Sequence, residues 1–372
     1  MNKALRRRFH AYLLFWARVV VRVRRPCVVG ITGSVGKTTT KEAVAAVLRH
    51  PDARRTVGDV WATPGNRNEP RDFALLFLGR ERAPTTRGGW IAFVTTLPLR
   101  ALALATAARY PDVFVVECAA TRLGSLRARI AVARPTIAIV TAVGPAHLET
   151  FKTLDNIRHE KAELVRATPP WGLVVLAQDS EHVATMDREA RAPVVKVPGR
   201  GREFALGAAR VVGRHLGVPD EVVDRALGEF GAVVGRLDVM ELGSVTVIDD
   251  SFNANPLSMQ LGLDTLAERA RPGQRRVAIL GMMAELGPEA ARYHEEIGGY
   301  ARARADVVVG VGEVATHYRP DRWFPTSAAC ADGLSDLVRP SDCILVKGSH
   351  SVHLRQVVRR LVADGAEARA GA

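Results

Sequence analysis

The chain is poor in cysteine, in aromatic residues and in long apolar runs. Its four cysteines, Cys27, Cys118, Cys330 and Cys343, are far apart and show no metal-knuckle or disulfide spacing. That excludes a stapled secreted scaffold and points to a reducing compartment, the cytoplasm. Aromatics make up 6% of the 372 residues, and the arginines behind the net charge of +13 are scattered over predicted helices. No recognised nucleic-acid module accompanies them, so no nucleic-acid partner is expected. The basic field suits phosphorylated small substrates or an anionic membrane surface, and an arginine-rich genome accounts for it equally well. The uncharged apolar run near the N-terminus, Ala11 to Ala17, has seven residues and cannot cross a bilayer. No small-residue cleavage site follows it, which argues against a secretory signal. Residues 90–108 are apolar for longer, but Pro98 and Arg100 interrupt them, so they are expected to form a buried or partner-facing helix. No fixed-period repeat occurs, and the only biased tract is the Ala/Arg/Gly tail 365–372, expected to be disordered.

What is present is a chain with 47% hydrophobic residues and ordinary soluble hydropathy, long enough for two or three domains. Residues 1–26 carry Lys3, Arg6, Arg7 and Arg8, then Arg18, Arg22, Arg24 and Arg25 around Tyr12, Phe15 and Trp16. They read as a basic amphipathic helix that either lies on an anionic membrane surface or packs on the domain that follows. Next comes VVGITGSVGKTTTKE, from Val28 to Glu42. A short β-branched run, a glycine turn and a helix start in that order make a phosphate cradle, because turn and helix N–H groups point at an anion. Gly33, Ser34, Gly36 and Thr39 would form the cradle, Lys37 would reach the outer phosphates, and the Thr38 hydroxyl would hold Mg²⁺. A regular P-loop has Gly where this chain has Ile31.

Further on, apolar strands run into polar loops. Val113 to Val116 ends on Glu117, and Ile137 to Thr141 leads to Gly144-Pro145-Ala146-His147. Ligands gather at the carboxyl ends of strands in parallel sheets, so Glu117 and His147 are candidate metal-site residues. A helix over 154–166 carries His159-Glu160-Lys161. After Gly235-Arg236 the pattern restarts: Val245 to Ile248 ends in Asp249-Asp250-Ser251-Phe252-Asn253-Ala254-Asn255-Pro256, and Ile344 to Val346 in Lys347-Gly348-Ser349. Strands alternating with helices predict a second parallel α/β sheet.

Taken together, ITGSVGKTTTKE, TPGNRNEP, VVECAATRLG, AVGPAHLETF, EKAEL, DDSFNANPLSM, LGMMAELG and VKGSHS resemble the Mur ligases in order and spacing, from about Cys27 to Leu361. The motifs are most similar to the branch that adds D-alanyl-D-alanine to a UDP-linked tripeptide. The resemblance implies a P-loop parallel-sheet ATPase domain over 27–235 and a smaller Rossmann-like α/β C-terminal domain over 236–364. Only 29 residues precede Gly30, where family members that recognise a UDP-sugar carry a further domain. It also implies ATP and Mg²⁺ as cofactors, small-molecule amine and carboxylate substrates, and an amide bond made through an acyl phosphate. Under it, Lys37 and the turn amides hold the outer phosphates, while Thr38, Glu117 and His147 place magnesium. Lys161 is the lysine that CO₂ carbamylates. Asn66 and Asn68 face the phosphates, Arg236, Asp250, Asn253 and Asn255 contact the nucleotide, and Lys347, Gly348 and Ser349 lie near the incoming amine. Because water would destroy the acyl phosphate, two domains that close on ATP are expected. The alternatives are a ligase of the same type for another acceptor, as in poly-γ-glutamate synthetases, which lack the DDSFNANP half, and a non-catalytic nucleotide-binding protein.

Overall fold

The computed structural model describes residues 3–63, 70–80 and 84–370, so Asn66 and Asn68 lie outside the described residues. Two compact units divide the chain: residues 1–143 with 155–230, and 144–154 with 231–372.

In the first unit, β1 (Cys27–Thr32), β2 (Val60–Ala62), β3 (Val113–Glu117), β4 (Ile137–Val140), β5 (Leu173–Ala177) and β6 (Val194–Val197) form one sheet in the order β2-β3-β1-β4-β5-β6. All its neighbours are parallel. Strands β3, β4 and β5 are buried at every residue, which is why they read as unbroken Val/Ile/Leu runs rather than alternating ones. The register sets Ile31 beside Glu117 and Thr32 beside Val140. The glycine turn, Glu117 and the loop after β4 therefore leave the sheet at one edge, the carboxyl edge where ligands collect.

The second unit has β7 (Asp238–Leu242), β8 (Val245–Asp250), β9 (Arg276–Gly281), β10 (Val307–Val311), β11 (Arg322–Phe324) and β12 (Cys343–Lys347), ordered β11-β10-β9-β12-β8-β7. The parallel pattern holds from β11 to β8, but β7 pairs antiparallel with β8, so the sheet is mixed rather than wholly parallel. A hairpin turn at Gly243, with φ +64°, lets β7 fold back on β8. Period-2 alternation divides two cores: Ile248, Ala278, Leu280 and Leu345 pack on one face, while Val247, Val277, Ile279 and Ile344 pack on the other. The closing helix, Arg355–Ala370, continues through residues 365–370, where the sequence suggested no regular structure. Alanine, the strongest helix former, recurs through that tail.

Residues 3–24 are a helix. It runs in the same direction beside the helix Arg87–Thr106, because Phe9 meets Trp90 edge-on at 4.9 Å, the Tyr12 hydroxyl donates to the Val94 carbonyl, and Arg24 donates to that of Ala107. The helix expected over residues 90–108 is present and runs through Pro98, and Gly88–Thr106 is long and apolar enough to cross a membrane by length and composition alone.

Candidate active site

The helix Lys37–Arg49 begins directly after β1, with Gly36 in the capping position at φ +84°. Gly33 has φ +152°, and a Cβ there would fall 1.9 Å from Thr141 Oγ1, so conformation and space both require glycine. The turn is clamped from β4: Ser34 N–H donates to the Ala142 carbonyl at 2.7 Å, and the Thr141 hydroxyl donates to the Val35 carbonyl. Lys37 folds back over the turn, its Nζ donating to the Gly33 carbonyl at 2.8 Å. Thr38 is buried at the first turn of the helix and Thr39 is half-buried. A helix start whose capping residue has no side chain, preceded by two left-handed glycines, is the geometry of an anion cradle.

Glu117 ends β3 in the interior, and its Oε1 has no hydrogen-bond partner. Lys41, fully buried, is the nearest cation, 3.8 Å from that oxygen, and it also pairs with Glu42 at 2.8 Å and donates to the Thr63 carbonyl at 2.6 Å. An orphaned buried carboxylate oxygen is costly unless something else uses it. Magnesium fits that requirement, with Thr38 and Glu117 as oxygen donors. No group of three or more His, Cys, Asp or Glu side chains suited to a metal occurs among the described residues. A hard ion at this edge would complete its shell with phosphate oxygens and water.

Lys161 sits within the helix Leu154–Ala167, buried, and its ammonium makes no hydrogen bond or ion pair among the described residues. Burial holds its ammonium well below the usual lysine range; the nearby Lys37 cation pushes the same way, and Glu160 opposes them. Glu160 is itself committed. Its carboxylate accepts from Gly124 N–H at 2.7 Å, the Ser125 hydroxyl at 3.1 Å and Leu126 N–H at 2.7 Å. The Lys161 helix is thus pinned to the loop that leaves Glu117.

His147 belongs with the second unit. It has φ +54°, and its Nδ1 pairs with the Glu285 carboxylate, whose pKa is lowered chiefly by that bond. Donation from Nδ1 would leave Nε2 as the lone-pair nitrogen, the tautomer of a metal-binding imidazole.

Around β8 and β12 the polar groups satisfy one another. Lys347 Nζ lies 2.5 Å from Asp250 Oδ2 and donates to the Asn253 carbonyl at 3.0 Å. Burial pushes the Asp250 carboxyl up and the Lys347 ammonium down, each against the charge of its partner. Asn255 caps the helix Pro256–Arg269: its Oδ1 accepts from Ser258 N–H, and the Ser258 hydroxyl accepts from Asn255 N–H. Ser349 ties two loops, donating from its N–H to the Met282 carbonyl and accepting at Oγ from Ala284 N–H. A Cβ on Gly348 would meet Leu354 at 2.7 Å. Arg236 lies over the Phe252 ring at 4.2 Å, and Phe252 in turn faces His350 at 5.8 Å.

The structure therefore brings Gly33, Ser34, Gly36, Lys37, Thr38, Thr39, Glu117 and Lys161 to one edge of the first sheet. It gathers Arg236, Asp250, Asn253, Asn255, Lys347, Gly348 and Ser349, with His147, in the second unit. Sequence reasoning missed Lys41, Glu160, Phe252 and His350. Each lies within a motif already singled out, and only contacts reveal what it does.

These features define a P-loop nucleotide-binding α/β protein whose chain also forms a second α/β unit. Residues 31–211 match the Mur ligase middle domain and residues 235–350 the Mur ligase glutamate ligase domain. The chain is 33% identical to the UDP-N-acetylmuramoyl-tripeptide–D-alanyl-D-alanine ligase of Mycobacterium tuberculosis, covering 91% of this chain and 73% of that protein. Identity to the Escherichia coli enzyme of the same name is 29%, over 95% and 80% of the two chains. The crystal structure of MurF ligase from Thermotoga maritima in complex with ADP superposes with a TM-score of 0.77 at 22% identity, covering 96% of this chain and 84% of that one. The chain belongs to the Mur ligase family, and with it to the ATP-dependent acid–amino-acid ligases.

Proposed function

We propose that the chain joins D-alanyl-D-alanine, or a closely similar dipeptide, to the terminal carboxylate of a UDP-linked muramoyl tripeptide in cell-wall synthesis. The observation that carries the reading is the buried Glu117 Oε1, which has no hydrogen-bond partner at the edge that holds the glycine turn; the buried Lys161, whose ammonium burial and Lys37 disfavour, supports it. The identity to ligases named for that reaction supports the substrates. The glycine turn and Lys37 hold the outer phosphates of ATP, and Lys37 offsets the repulsion as an acceptor carboxylate oxygen attacks the γ-phosphorus and ADP departs. The dipeptide amine then attacks the acyl phosphate carbonyl, loses a proton and expels phosphate. Thr38 and Glu117 would hold magnesium, which when bound screens the two approaching anions. Burial and Lys37 disfavour the charged form of Lys161, and with its proton lost the amine would offer CO₂ a lone pair: the nitrogen would add to carbon, release a proton and become a carbamate anion. Arg236, Asn253 and the Phe252 ring would contact the nucleotide. Asp250, Asn255, Lys347 and Ser349 would act by holding those loops in place. The cytoplasm supplies both ATP and a nucleotide-linked acceptor, and all four cysteines are free thiols. We place the chain there, with residues 1–25 toward an anionic membrane face.

Release of ADP and phosphate should require both D-alanyl-D-alanine and the UDP-linked tripeptide, and Lys37→Ala should abolish it. Release with a different amine and carboxylate pair would reassign the acceptor, whereas ATP binding without release for any pair would overturn the ligase reading.

A further inference from the structure

Beyond its ligase site, the first unit carries a surface built to need no water. On the helix Arg87–Thr106, Phe93, Leu97 and Ala101 face inward, while Ile91, Leu99 and Leu102 are 67%, 71% and 62% exposed. With Thr95 and Thr106 they follow a spacing of three and four residues, one continuous stripe. The stripe's polar groups are already satisfied within the protein. The Thr95 hydroxyl donates to the Ile91 carbonyl, that of Thr96 to Ala92 and that of Thr106 to Leu102. Arg100, the only ionisable residue from Gly88 to Thr106, donates to the Leu78 and Gly79 carbonyls. Beside this helix, the N-terminal helix buries Leu13, Ala17 and Val20 and exposes Phe15 and Val23.

Charge on the same two helices has one sign. No Asp or Glu occurs in residues 1–41 or 82–111. Arg8, Arg22, Arg25 and Arg109 are exposed. An apolar stripe that must meet another soluble protein is ordinarily rimmed by mixed charge. A stripe with internally bonded hydroxyls and a purely cationic border matches the acyl boundary and phosphate level of an anionic bilayer.

We infer that the helices 3–24 and 87–106 together form a peripheral docking surface for an anionic phospholipid leaflet, in which Ile91, Leu99 and Leu102 enter the acyl boundary and the arginines meet lipid phosphates. The second helix lies in the plane rather than spanning, because Phe93, Leu97 and Ala101 are committed to the protein and β3 begins at Val113. This extends the expected contact of residues 1–25 to a two-helix surface and is independent of the ligase substrates.

The full chain should co-sediment with phosphatidylglycerol/phosphatidylcholine vesicles, bind phosphatidylcholine vesicles about tenfold or more weakly, and be released by salt. Ile91→Glu/Leu99→Glu/Leu102→Glu changes only exposed positions; it should cut binding at least about tenfold while leaving phosphate release in solution intact. Should that variant fail to fold, quenching of Trp16 and Trp90 fluorescence by brominated lipid reports on the unaltered protein, and quenching is expected. Equal binding to both vesicle types, an unaffected triple variant, or absence of quenching would overturn the inference. So would self-association that the triple variant abolishes without any vesicle binding, which would assign the stripe to a second copy of this chain.

Discussion

Lys161, in a helix of the first unit, and Lys347, at the end of β12 in the second, are both buried lysines within family motifs, yet their surroundings differ. Lys347 has Asp250 at 2.5 Å and the Asn253 carbonyl at 3.0 Å. The Lys161 ammonium has no hydrogen bond or ion pair among the described residues, and its acidic neighbour Glu160 is spent on Gly124, Ser125 and Leu126. Glu117 shows the same contrast with Asp250, one carboxylate carrying an orphaned oxygen and the other matched to a cation. A polar group that the fold satisfies holds structure together, whereas one that the fold leaves unsatisfied at a strand edge is kept for something that arrives.

That contrast can be broken experimentally. Lys347→Met strands the Asp250 carboxylate and should cost about 3–5 kcal/mol in chemical denaturation, the penalty for breaking a buried pair. A loss below about 1 kcal/mol would mean that the pair is not holding the loops. Glu117→Gln keeps shape and removes charge from a carboxylate whose one close cation, Lys41 at 3.8 Å, keeps its shorter contacts to Glu42 and the Thr63 carbonyl; turnover should fall about a hundredfold while the unfolding midpoint shifts by less than the equivalent of about 1 kcal/mol. Asn255→Ala removes a helix cap and should cost about 1 kcal/mol, read from the same denaturation curves. The smallest effect is on pH dependence. Since the folded pKa of Lys161 lies below the usual lysine value of 10.5, the unfolded chain binds the extra proton between the two values. Stability from this group therefore rises with pH through that window. Thermal melts should show the gap between Lys161→Met and the unaltered protein narrowing toward alkaline pH, and a widening gap would place the lysine in a stabilising ion pair instead.

How much of this was legible in the residues follows from the range of the interactions. Strands β1, β3 and β8 announce themselves by β-branched runs that stop at Gly, Glu or Asp, so the residues at their carboxyl ends could be named from order alone. Gly33 and Gly36 likewise signal a turn that only glycine can make. Pairings across the chain could not be read that way. Lys347 lies next to a glycine-serine loop and looks ready for a substrate until β12 sets it beside β8 and Asp250. Asn255 within DDSFNANP reads as a nucleotide contact, and its hydrogen bond from Ser258 N–H, which makes it a helix cap as well, could not be read from residue order. Strand β7 went unread because Asp238–Leu242 is half-exposed and weakly patterned. The helix through Pro98 could be read from its apolar residues, but the outward turn of its apolar stripe depends on which face the N-terminal helix covers.

The central claim, that the first unit keeps its unsatisfied buried groups for the reacting ligands, is tested most directly on Lys161→Met by measuring thermal unfolding and phosphate release on the same sample. The account predicts a protein that melts at or above the temperature of the unaltered chain, because a buried unpaired amine has been replaced by an apolar side chain of similar length, and that releases no phosphate. A variant that melts well below it, or that still turns over ATP in the presence of both substrates, would contradict the account.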